Sequence, residues 1–169
     1  MTQHKIHIQC LKREISTIDQ FIEVAKSSDI DLLSRLLCDM PFEIKEEIIA
    51  HHDCELFVWA ANNGCIKLLD KFLEEVDPKQ RQYMITTNHF EALECAVSND
   101  HIQVVKRLLE VASPEQRSSM VAISADIALK RGINDMLAVI LAYANEDERN
   151  LILEEAMEQG MIEGNHSMY

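Results

Sequence analysis

The chain has 169 residues, with 16 Lys plus Arg against 29 Asp plus Glu, and a formal net charge of -13. A composition of 47% hydrophobic and 27% charged residues is globular, and the acidic balance argues against a phosphate-backbone binder, which needs stripes of Lys and Arg to displace counterions. Only four Gly and three Pro leave few turn-makers for a barrel or sandwich, so an all-α chain of helices joined by short loops is expected.

From the N-terminus, Met1 to Cys10 is polar and lacks the apolar stretch of a classical signal peptide, so none is expected. Lys5-Ile6-His7-Ile8 alternates as a short strand would, and a helical cap over the following residues fits residues 1–18 equally well. The five cysteines (Cys10, Cys38, Cys54, Cys65, Cys95) form an odd set without a C-x-x-C pair, which predicts reduced thiols and a cytoplasmic setting. No apolar run approaches the roughly 18 residues needed to span a bilayer.

From residue 19 the chain repeats. Ala60-Ala61-Asn62-Asn63-Gly64-Cys65-Ile66 through Glu74 lies over Ala96-Val97-Ser98-Asn99-Asp100-His101-Ile102 through Glu110 at a shift of 36. Pro78-Lys79-Gln80-Arg81 falls on Pro114-Glu115-Gln116-Arg117 at the same shift. An upstream copy runs from Val24 through Ile30, Leu33, Leu36 and Leu37. A fourth runs from Ala128 through Gly132 to Arg149 but follows the third by only 32 residues. It also has Ala125 where the others have Phe21, Phe57 and Leu93, and it reads as a cap, because a terminal repeat meets water on one side. The copies span 19–54, 55–90, 91–124 and 125–145.

Each copy has helical spacing. Ile66, Leu69, Phe72 and Leu73 form one apolar stripe, as do Ile102, Val105, Leu108 and Leu109. The preceding segment carries Phe57, Ala60 and Ala61 on one side, where the small alanines allow close helix approach. Asn63-Gly64 and Asn99-Asp100 supply a turn tolerant of left-handed backbone. Pro78 and Pro114 mark the first position of a third, short helix. Two to three helices in each of about four copies is the expected architecture.

Ala60-Ala61-Asn62-Asn63-Gly64-Cys65-Ile66-Lys67-Leu68-Leu69 with Phe72-Leu73 resembles the helix-turn-helix of an ankyrin repeat, and His101 matches the histidine of that family's turn. The T-P-L-H-x-A entry is replaced by Glu55-Leu56-Phe57-Val58-Trp59-Ala60, and a helix beginning at Pro78 or Pro114 is expected in place of the β-hairpin finger. The P-x-Q-R helix joined to an ankyrin-like pair is similar to divergent repeats in effector proteins of intracellular bacterial pathogens. Glu154, Glu155 and Glu158 resemble the glutamate-rich block of some type IV secretion signals. The resemblance implies a helical solenoid without catalysis that binds a host protein, with secretion into the host cytoplasm. It also places the partner-binding residues on the concave face just before each turn: Lys26 and Ser27, Asn62 and Asn63, Ser98 and Asn99, Lys130 and Arg131, with Trp59 beside them, a residue whose place next to Phe57 and Ala60 also suits packing at a seam between repeats. That row is polar to basic and holds no acid.

No Walker loop, G-x-G-x-x-G, H-E-x-x-H or G-x-S-x-G occurs, so no catalytic, cofactor or metal residue is assigned. His51-His52-Asp53-Cys54 is the densest group of potential zinc ligands, and a polar loop accounts for it as well. A Cys-His pair of Cys95 with His89 or His101 lacks an activating third group. Arg81, Arg117 and Arg149 recur at one repeat position, where pairing with Glu side chains of adjacent helices is expected. Residues 146–169 hold seven acids and one base. A second reading is therefore an acidic inhibitor or regulator that covers a basic enzyme or nucleic-acid-binding surface.

Overall fold

The computed structural model describes Glu47, Ile48 and residues 54–161. Seven helices follow one another there: α1 (Glu55–Asn62), α2 (Ile66–Glu75), α3 (Pro78–Ser98), α4 (Ile102–Val111), α5 (Pro114–Arg131), α6 (Asn134–Leu141) and α7 (Glu146–Glu158). Among the described residues there is no strand, and no helix is long and apolar enough to cross a membrane. Residues 1–18 and most of the first copy, with Lys26, Ser27 and His51 to Asp53, lie outside the described residues.

The helices pack in two rows. In one, α1 packs on α3, α3 on α5 and α5 on α7; in the other, α2 packs on α4 and α4 on α6. The residues that bury the rows together are those of the predicted apolar stripes except at the helix starts, where Leu68 and Val104 are buried and Ile66 and Ile102 only partly so. Leu68, Leu69, Phe72 and Leu73 of α2 and Val104, Val105, Leu108 and Leu109 of α4 are all buried. At the third-helix position, Ile48, Met84, Met120 and Ile152 are buried at intervals of 36, 36 and 32. Side-chain contacts between neighbouring copies keep this register: Asn99 reaches Asn62, Arg107 reaches Asp70 at 2.5 Å, and Tyr143 reaches Glu110, pairs 37, 37 and 33 residues apart. Each contact joins one position of a copy to the next position of the following copy.

The turns repeat with the same hydrogen bonds. Gly64, Asp100, Gly132 and Gly160 all have a φ between 57° and 69°. The residue after each donates to the carbonyl of an alanine five back: Cys65 to Ala60, His101 to Ala96, Ile133 to Ala128 and Met161 to Ala156. This is the Schellman closure, which satisfies helix carbonyls that would otherwise lack partners. The four alanines are fully buried.

The fourth turn, at Gly160, shows that α7 continues the pattern beyond the fourth copy. The arginine-to-alanine interval shrinks along the chain: 15 residues from Arg81 to Ala96, 11 from Arg117 to Ala128, and 7 from Arg149 to Ala156. Four residues are close to one turn of about 3.6, so each shortening keeps the same face inward. In α3 the long interval contains a break, with Thr87 extended and Asn88, His89 and Phe90 left-handed. α5 lacks those residues and runs unbroken from the third-helix position into the first helix of the next copy. The spacing of 32 thus reflects a lost linker. On α7 two large apolar side chains meet water, Leu151 and Met157, at 60% and 46% exposure. The expected short third helix is, in α5 and α7, the first part of a fused helix.

Candidate protein-binding face

The side chains before each turn come together as a row, but they are not all free for a partner. Asn99 Nδ2 donates to Asn62 Oδ1 at 3.0 Å and to the Cys95 carbonyl at 2.9 Å. Asn63 Nδ2 donates to the Trp59 carbonyl at 2.8 Å, and the His101 ring contacts the Asn62 carbonyl at 2.9 Å. Asn62, Asn63 and Asn99 therefore close helix ends and tie two copies together while remaining exposed. Ser98 is half-buried. Lys130 and Arg131 are exposed in the last turn of α5, where cations favour the negative helix end, and Lys130 also pairs with Asp126 at 2.7 Å.

The outward side of these helices continues one turn back, through positions that sequence reasoning passed over. With copies aligned on their alanines, 55–62, 91–98, 123–130 and 151–158 are equivalent stretches. One equivalent set is Val58, Glu94, Asp126 and Glu154, of which the three acids are exposed. The adjacent set is Trp59, Cys95, Ile127 and Glu155. Trp59 and Ile127 are partly buried against the core, and Cys95 is half-buried. At about 100° per residue the acidic and apolar sets lie on opposite sides of the exposed arc, with Asn62, Ser98, Lys130 and exposed Glu158 between them. The acidic and apolar sets thus flank the row of Asn, Ser and Lys read from sequence. Continuing the repeat alignment one helical turn upstream would have found the acidic set.

The field of these acids is felt locally. Burial, followed by the charges of Glu91 and Glu94, pushes the Cys95 thiol above its ordinary value. Burial alone does so for Cys65. Both shifts run against a thiolate nucleophile. His101, the candidate partner of Cys95, is held at the Asn62 carbonyl. Cys54 is buried and lies near the Thr87 hydroxyl, at 3.8 Å. Among the described residues no three His, Cys, Asp or Glu side chains gather as metal ligands would.

The recurrent arginines correct a sequence expectation. Their guanidinium groups bond to backbone carbonyls, not to Glu carboxylates. Arg81 Nε donates to the Leu73 carbonyl at 2.9 Å, Arg117 Nε to Leu109 at 2.8 Å and Arg149 Nε to Leu141 at 3.2 Å. The second nitrogen reaches Val76, Ala112 and Ala144, respectively. Each arginine lies four residues after an N-cap, at Asp77, Ser113 or Asn145, so the start of one helix clamps the negative end of the previous one.

On the opposite row, a shallow groove between α4 and α6 is lined by Lys106, Glu110, Ala138, Val139, Ala142 and Tyr143. The Tyr143 hydroxyl donates to Glu110, and burial together with that bond and charge raises its pKa. Comparison of the chain with family models, with curated proteins and with solved structures finds no match.

Proposed function

We propose that the chain is a non-catalytic protein-binding module, an ankyrin-like helical solenoid that presents the outward face of α1, the second half of α3 and α5, and α7 to a partner. The observation that carries this reading is the half-buried apolar set Trp59, Cys95 and Ile127, which lies beside exposed polar and charged side chains on successive stacked helices. Tryptophan beside polar side chains on an exposed face is a frequent binding anchor. A stack held in register by Asn62–Asn99 and Arg107–Asp70 presents these side chains with little ordering cost. The resemblance to effector repeats makes a host-cell protein the first partner class to test.

Photocrosslinking separates this face from the others. A photoreactive residue at Glu94 or Lys130 is expected to trap a partner from host-cell lysate, and one at Gln103 or Ala138, exposed on the other row, is not. Crosslinks from Gln103 and Ala138 alone would place the partner on the opposite row and end this assignment.

A further inference from the structure

We infer that the occupant of this face is a basic amphipathic helix, with apolar side chains along Trp59, Cys95 and Ile127 and Lys or Arg side chains meeting Glu94, Asp126 and Glu154. The inference rests on the docking face proposed above and adds the chemistry of what docks.

Charge complementarity argues for the basic side. The acids at this register are exposed in three consecutive stacked segments, and Lys130, beside them, is paired with Asp126. Glu94 is the residue next to Cys95, so this acid adjoins the apolar line directly. A neutral or acidic occupant would strip water from Glu94 and Glu154 without supplying an opposite charge, whereas Asp126 keeps Lys130. A basic occupant replaces the lost hydration with opposite charge and is steered in from a distance by the chain's net charge of -13.

The spacing argues for a helix. Packed helices lie about 8–10 Å apart, so Trp59, Cys95 and Ile127 present apolar contacts at about that interval. A helix rises about 10.5 Å in seven residues, and apolar residues at i, i+7 and i+14 therefore match three stacked segments. An extended strand would leave its backbone N–H and C=O groups facing side chains and not a sheet edge, because no described residue forms a strand. A helix satisfies its own backbone and brings only its stripe to the surface.

Trp59 is the only tryptophan in the chain and sits in the apolar set, so its emission reads occupancy directly. The probe is an 18-residue peptide without tryptophan, with Leu on one helical stripe and Lys elsewhere. Its analogues carry Gln or Glu in place of Lys. The Lys peptide is expected to shift Trp59 emission saturably and to bind at least about tenfold more weakly at 500 mM than at 50 mM salt. Glu94→Gln, Asp126→Asn and Glu154→Gln together should weaken it at least tenfold. Glu74→Gln, Glu115→Gln and Asp147→Asn together, of equal charge but away from the face, should change it less than twofold. Thermal melts of both triples show whether each still folds.

Equal loss in the two triples would overturn the inference by reducing the attraction to net charge. A Gln peptide that binds and shifts Trp59 as strongly as the Lys peptide would overturn the basic chemistry while leaving the docking face intact. No Trp59 response to any of the peptides would also overturn the inference, and the crosslinks from Glu94 and Lys130 then decide separately whether the face docks a partner.

Discussion

His101 of one copy lies directly over Gly64 of the copy before it. The ring nitrogen Nε2 is 2.9 Å from the Asn62 carbonyl, and a Cβ placed on Gly64 would fall 2.6 Å from Nδ1. Gly64 is thus required twice, once by its φ of +66° and once by the imidazole packed against it. Gly132 has nearly the same φ of +68° with nothing within 4 Å, so it carries only the first requirement.

The two glycines allow the two requirements to be measured apart. Gly132→Ala should cost about 1 kcal/mol, the penalty for an L-residue in left-handed backbone. Gly64→Ala should cost about 2 kcal/mol, because displacing His101 also loses a hydrogen bond worth about 1 kcal/mol. In a double-mutant cycle by urea unfolding, His101→Ala should absorb the second part and leave the first. Equal losses at Gly64 and Gly132 would mean that the ring moves aside freely.

Asp100 holds the same turn position with a φ of 57°, where the other three turns have glycine. Its side chain is exposed. Asp100→Gly should therefore raise stability by up to about 1 kcal/mol, since it removes left-handed strain without removing a packed group. A lower melting midpoint for this variant would show that Asp100 is held by something other than its turn.

The arginine clamps predict a graded series. Arg117 donates to the Leu109, Glu110 and Ala112 carbonyls, and Arg117→Ala should cost about 2 kcal/mol through lost charge-assisted hydrogen bonds. Arg117→Lys keeps the charge at the helix end but cannot span separated carbonyls, and should recover less than half of the loss. Arg149, exposed and bonded at a longer 3.2 Å to Leu141, should cost less than Arg117 when changed to Ala. Chemical denaturation of the three variants gives the order, and full recovery by lysine would reduce the clamp to a point charge.

The helices, their apolar stripes and the turn at Gly64 were legible in the sequence because each rests on local periodicity or a single backbone requirement. The Pro78 and Pro114 helix starts were legible for the same reason. The fusion of helices in α5 and α7 was not, because losing four residues leaves the helical phase almost unchanged and marks only a shorter interval. Ala156 and Gly160 repeat the turn pattern within a stretch whose dominant sequence signal is its acidic charge. The arginine row was visible, but its partners are carbonyls, which every residue has and no sequence pattern distinguishes. The proposed face is half legible: Asn62 and Lys130 stand out by their position before the turn, whereas Glu94 and Asp126 emerge only when successive copies are set in register.

Cys95 gives a chemical readout of that face. Burial and the charges of Glu91 and Glu94 raise its pKa above the ordinary 9.0, so less thiolate is present at pH 8 than in an unfolded chain. Alkylation of Cys95 by iodoacetamide should therefore be slower than that of a free cysteine, with its pH midpoint displaced upward. Glu91→Gln and Glu94→Gln should return the midpoint part of the way, leaving the part due to burial. The linkage has a definite sign: with the folded value above the unfolded one, the native state holds the proton longer. Any contribution of this thiol to stability is therefore complete below pH 9 and declines as pH rises through the folded value. Unchanged alkylation in the two Gln variants would show that the acids do not act on the apolar line, and would remove the electrostatic support for a basic occupant.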